Sequence, residues 1–238
     1  MIRRGAKLRL MRIAEIFYSV QGEGRLIGVP SVFVRTSGCN LRCVWCDTPY
    51  TSWRPQGEEW KINAITREVG KYPARHVVIT GGEPFLAPEL SELTQELKGR
   101  GKHITIETAG TIYKPVACDL MSVSPKLANS TPWKKENGKF APAHEARRLD
   151  FAVLQQLVDE YDYQLKFVVD DKKDFAEIAR VIGRLKNIEP SQVLIMPQGK
   201  RPSELREKSL WIVELCKKSG YGFTPRLHIE LYGNRRGT

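Results

Sequence analysis

The sequence contains no run approaching the roughly twenty apolar residues that a membrane-spanning helix requires, so no transmembrane anchor is expected. Its first ten residues, MIRRGAKLRL, are basic but lead into no apolar stretch, which argues against a secretory leader and for a cytosolic chain. Cysteines are few, five in all, and an odd count with three of them inside Cys39–Cys46 fits a disulfide framework poorly. Cys118 in ACDLMSVS and Cys216 in WIVELCKK read as small buried hydrophobes. No internal repeat, low-complexity tract, RRM, KH, helix-turn-helix or zinc-finger pattern is present, so nucleic acid is not an expected direct partner.

What is present is a basic chain with an ordinary share of core residues. Of 238 residues 41% are hydrophobic, so a packed core is feasible without staples. The net charge of +11 describes either a solvated basic surface or a site for an anionic partner.

Short apolar runs alternate with segments of helical period. VFVR (32–35), HVVIT (76–80), HITIET (103–108), CDLMSVS (118–124), YQLKFVV (163–169) and QVLIMP (192–197) read as strands, and GFTPRLHIEL as a last one. The segments 63–72, 87–101, 144–160, 174–186 and 203–220 read as helices. Strands alternating with helices of ten or more residues predict parallel βαβ units in one α/β domain, either doubly wound or an incomplete barrel. Both place chemistry at the C-terminal ends of the strands. The stretch 127–142 is long, polar and basic, a loop length that is functional or disordered.

Cys39, Cys43 and Cys46 are spaced C-x3-C-x2-C. Structural zinc takes four ligands, commonly as two pairs, and no second pair follows; His76 lies thirty residues on. A redox C-x-x-C leaves Cys39 without a role. Three thiolates suit a [4Fe–4S] cluster with one iron left open to bind a small molecule.

This spacing, with Trp45 before the last cysteine and GGEP (81–84) after a strand, resembles the radical S-adenosylmethionine (SAM) superfamily. Within it, IFYSVQGEG, GVPSVFVRTSGCNLRC, CDTPYT, TGGEP, IETAGT, SVSPK and LYGNRRGT together resemble the 7-carboxy-7-deazaguanine synthase family. The resemblance implies a modified, incomplete (β/α)6 barrel of parallel strands. It makes residues 12–238 a single radical SAM domain, with residues 1–11 as an N-terminal extension. It implies a carbon–nitrogen lyase of queuosine and deazapurine biosynthesis, converting 6-carboxy-5,6,7,8-tetrahydropterin to 7-carboxy-7-deazaguanine and ammonia. A [4Fe–4S] cluster, SAM, Mg2+, an electron donor of flavodoxin or ferredoxin type and a homodimer are implied with it.

Site roles follow from the matching segments. Cys39, Cys43 and Cys46 hold the cluster, and Thr48 in CDT matches a Mg2+ contact, although a capping hydroxyl is its plain reading. Trp45, Gly82, Ser124, Pro125, Lys126, Pro197 and Gln198 match cofactor-contacting positions. Val20, Gln21, Gly22, Glu23, Arg35 and Thr80 match substrate contacts, with Arg35 suited to a carboxylate. His228 and Thr238 are further substrate candidates. Glu107 reads equally as a ligand to ribose or substrate and as a paired or capping carboxylate. Two rivals remain: a glycyl-radical activase, which is not expected to carry QGEG-x10-R or CDT, and a zinc module binding nucleic acid through the basic surface.

Overall fold

The computed structural model describes residues 10–238. The chain opens with β1 (Leu10–Val20) and β2 (Pro30–Thr36), followed by the cysteine loop, the short helix α1 (Pro49–Ser52) and β3 (Glu58–Lys61). Alternation then sets in: α2 (Ile62–Val69), β4 (His76–Gly81), α3 (Leu90–Gly99), β5 (His103–Thr108) and β6 (Leu120–Val123). Two helices, α4 (Ala141–Glu145) and α5 (Phe151–Glu160), precede β7 (Tyr163–Val169), α6 (Asp174–Ile182) and β8 (Val193–Pro197). The chain ends through α7 (Pro202–Ser219), β9 (Gly222–Phe223) and α8 (Leu227–Tyr232).

The nine strands form one sheet in the order β3-β1-β2-β4-β5-β6-β7-β8-β9. From β2 through β8 six strands run parallel, the incomplete barrel that the sequence predicts. β6, β7 and β8 are buried along their whole length, and this double-sided burial is why they read as continuous apolar runs. The helices cover the outer face; α3, for example, buries Leu90, Leu93 and Leu97 at helical spacing. Phe17, Phe33 and Val78 form a separate small cluster, with the two rings stacked at 4.9 Å.

The structure adds detail to these expectations. The sheet is not wholly parallel: β1 pairs antiparallel with both β2 and β3, adding a hairpin-like edge to the barrel. The domain boundary at Arg12 falls inside β1, where Leu10 and Met11 pair with Lys61 and Trp60 and Met11 is buried; the remainder of the extension, residues 1–9, lies outside the described residues. GFTPRLHIEL contributes only Gly222 and Phe223 to the sheet, because Pro225 has no N–H to continue a ladder and the chain turns into α8.

The helix expected over 144–160 is broken into α4 and α5. Asp150 sits in an extended conformation and accepts from Ala152 N (3.1 Å) and Val153 N (3.2 Å), so it caps α5. Asp150→Ala is expected to cost about 1 kcal/mol, read as a lower urea midpoint at unchanged slope.

Candidate active site

The C-terminal strand ends surround a cavity of about 490 Å³. Cys39, Cys43 and Cys46 all line it, packed with Leu41 and Ala109. Their loop is held from several sides. Gly38 N donates to Thr51 O (2.8 Å), Arg42 N to His144 Nδ1 (3.1 Å) and Val44 N to Ser130 O (2.7 Å). Trp53 Nε1 donates to Cys43 O (2.9 Å), and Trp45 Nε1 to Asn129 O (3.1 Å). The polar stretch 127–142 is therefore the backing of the cysteine loop.

Burial pushes the Cys39 and Cys43 thiols up to about 12, so both are neutral until a metal displaces their protons. Three sulfur donors lining one cavity together with polar side chains fit a [4Fe–4S] cluster with an open iron. Thr48 also lines the cavity. It stands at the start of α1 but makes no capping bond; its hydroxyl accepts from Thr51 Oγ1 at 3.3 Å.

GGEP joins the cysteine loop to the sheet. A Cβ on Gly82 would lie 1.9 Å from Gly38 O, so only glycine lets the two backbones meet. Glu83, which sequence reasoning left without a role, is buried and accepts from Thr108 Oγ1 (2.8 Å), Ala109 N (2.9 Å) and Phe85 N (3.2 Å). Burial raises its pKa against these bonds.

The QGEG turn lines the same cavity. Gln21 Nε2 donates to Glu107 Oε1 (3.3 Å), and Thr80 Oγ1 to Glu107 Oε2 (2.7 Å). His228 packs on Gly22, where a Cβ would come within 1.9 Å of Nδ1, and burial lowers the His228 pKa. Glu23 has one oxygen on Lys166 and the other on Arg226 Nε (2.9 Å). Burial works to raise the Glu23 carboxyl, but Lys166 and Arg226 outweigh it and hold it well below the usual range. Burial likewise works against the charge of Lys166, and Glu23 outweighs it, so the ammonium is stabilised. Arg226 also donates through Nη2 to Asp47 and through Nη1 to Gly199 O (2.8 Å).

Val20, Arg35, Trp45, Ser124, Lys126 and Gln198 line the same cavity, as do Gln21, Gly22, Glu23, Thr80, Gly82, Glu107, His228 and Thr238. Lys126 Nζ donates to Ser124 O (2.8 Å) and Oγ (2.7 Å) and lies 6.0 Å from the Trp45 ring centroid. Pro125 and Pro197 are buried but do not line the cavity. Arg35 Nε donates to Glu15 Oε1 (2.7 Å). Lys166, Arg226, Asp47 and Glu15 were missed. A lysine inside the fully buried run YQLKFVV was the one signal available.

Proteins of similar sequence and fold point to a family. A model of the Radical SAM superfamily matches residues 33–127. A 7-carboxy-7-deazaguanine synthase of Halobacterium salinarum is 46% identical over 93% of this chain and 90% of its own. One of Rhodopirellula baltica is 44% identical over 95% and 88%. The crystal structure of QueE from Escherichia coli superposes with a TM-score of 0.68 at 26% identity, covering 92% of this chain and 95% of that one. The cysteine loop, the QGEG turn and these relatives lead to one conclusion: the chain belongs to the 7-carboxy-7-deazaguanine synthase family of radical SAM enzymes.

Proposed function

We propose that this chain converts 6-carboxy-5,6,7,8-tetrahydropterin to 7-carboxy-7-deazaguanine with release of ammonia, as a lyase of queuosine biosynthesis. The observation that carries the reading is one cavity lined by Cys39, Cys43 and Cys46 together with Gln21, Glu23, Arg35, Thr80 and Glu107. Cys39, Cys43 and Cys46 would hold a [4Fe–4S] cluster, and Gly82, Ser124, Lys126 and Gln198 would border bound SAM. When bound, this pair would supply the radical chemistry that the ring contraction needs. The chain's own work is placement and exclusion of water.

The Arg35 guanidinium suits the substrate carboxylate, and Gln21 and Glu107 suit the hydrogen-bonding edge of the pterin. Thr48, whose hydroxyl does not cap α1, would give Mg2+ one oxygen, with substrate and water supplying others. A homodimer in the cytosol completes the reading.

The electron donor we assign is flavodoxin- or ferredoxin-like and acidic. Lys135 Nζ lies 3.8 Å from the Trp53 ring centroid, and Trp53 in turn holds the Cys43 carbonyl. With Lys134, Lys139 and the exposed Trp133 this makes a basic rim beside the cysteine loop. Cluster reduction by such a donor is expected to slow several-fold with added salt; a salt-independent rate would remove this partner.

The deciding experiment is anaerobic reconstitution followed by incubation with the tetrahydropterin, SAM, reductant and Mg2+. A product lighter than the substrate by one ammonia is expected. An intact pterin alongside a brown, SAM-cleaving protein would overturn the substrate, and a colourless zinc protein would overturn the chemistry. Omitting Mg2+ tests Thr48 separately.

A further inference from the structure

β1 contains a bulge between Ile13 and Glu15 that leaves Ala14 without a partner in either neighbouring ladder. A bulge re-aims backbone and side chains at a sheet edge. Here the Ala14 carbonyl accepts from Arg236 Nη2 (2.9 Å), and Glu15 Oε2 accepts from Arg236 Nε (3.0 Å). The same guanidinium lies 4.3 Å from the Tyr50 ring centroid. Glu15 is the hub: its side chain is only 12% exposed, and its Oε1 accepts from both Arg35 Nε (2.7 Å) and Tyr50 OH (2.7 Å). Asn234 to Thr238, the segment Arg236 anchors, lines the cavity.

We propose that Arg236 is a positioning residue: it seats the segment 234–238 at the cavity and, through shared Glu15, fixes the Arg35 guanidinium for the substrate carboxylate. The role assigned to Arg35 rests on the function proposed above; the seating of the segment does not. Arg35 spends its Nε on Glu15, and Glu15 in turn divides its two oxygens between Arg35 and Arg236. Losing the Arg236 bond leaves Glu15 held on its Oε1 alone, by Arg35 and Tyr50, so the carboxylate gains freedom to turn and the two placements are coupled through one side chain.

Two measurements on the reconstituted full chain test this. Amide exchange over residues 233–238 is expected to accelerate in both Arg236→Ala and Glu15→Gln. KM for the tetrahydropterin is expected to rise about fivefold in Arg236→Ala, the effect of one half-exposed ion pair, with kcat, iron content and melting temperature unchanged. Glu15→Gln is expected to raise KM further, and the double variant no further than Glu15→Gln alone. Arg236→Lys keeps the charge without the fork and is expected to fall between wild type and Arg236→Ala. Unchanged exchange overturns the seating, and an unchanged KM or strictly additive effects overturn the coupling. If the wild type fails to convert the pterin while exchange responds as described, the proposed substrate falls and the seating stands.

Discussion

Arg226→Met is expected to destabilise the fold by about 3–5 kcal/mol at neutral pH, the loss that follows when a buried ion pair is broken on one side. Arg226 is buried and bonds to the Glu23 carboxylate, the Gly199 carbonyl and Asp47. Removing it leaves Glu23, itself 12% exposed, with Lys166 as its one buried cation. Asp47 is the more open partner, at 38% exposure, so solvent screens part of its loss. The damage spreads because the three bonds join the QGEG turn, the end of the cysteine loop and the residues after β8 to the start of α8. His228 on α8 and the 234–238 segment should both loosen with it.

The pH dependence has a defined sign. In the folded chain Glu23 and Asp47 both titrate below their ordinary values of 4.5 and 3.8. The stability their pairs contribute is therefore present at neutral pH and lost as pH falls through the folded values. The gap between wild type and Arg226→Met should be widest near neutrality and narrow in acid. Urea unfolding of both proteins across that range checks it. Arg226→Lys, which keeps a charge but cannot make three divergent bonds, should lose less. A gap that stays constant into acid would mean that the destabilisation comes from lost packing instead.

This charge cluster also marks where sequence reading stops. The cysteine loop, QGEG and GGEP were legible because each is a contiguous stretch whose residues act together. The parallel strands were legible because burial on both faces makes them continuously apolar. Lys166 and Arg226 were not, because their shared partner Glu23 lies 143 and 203 residues away in sequence. Only the folding of the whole sheet brings them together. β1 was missed for a related reason: its residues divide between the core, an edge ladder and a bulge, so LMRIAEIFYSV shows no clean period of two. Gly82 was legible as part of GGEP, but the reason a glycine is needed there, backbone of Gly38 and Thr51 where its Cβ would stand, was not. The break between α4 and α5 turned on one capping aspartate, and β9 on one proline, local features outweighed in the reading by the longer apolar pattern around them.

His144→Phe is expected to weaken cluster binding about tenfold or more, the scale seen when an outer partner of a metal site is removed. His144 is buried, and burial pushes its pKa down to about 4, so the ring is neutral at neutral pH. Its Nδ1 accepts from Arg42 N (3.1 Å), between Cys39 and Cys43. The ring proton is thereby placed on Nε2, which donates to Ser130 Oγ (2.8 Å), while the Ser130 hydroxyl donates to Leu127 O (2.6 Å). One tautomer thus connects the cysteine loop to its backing. Phenylalanine fills the space but accepts nothing, and an orphaned Arg42 N–H costs about 1–3 kcal/mol unless the loop moves to satisfy it. Moving that loop displaces the thiols on either side. Iron and sulfide content after reconstitution, and the rate at which a chelator strips the cluster, would report the loss. His144→Asn, which offers an acceptor and a donor on a shorter arm, should recover part of it. The difference between wild type and His144→Phe should persist from neutral pH through mild acid and close near pH 4, where the wild-type ring takes a proton and loses its acceptor. Full occupancy and unchanged stripping in His144→Phe would show that the cysteine loop holds its shape without this histidine.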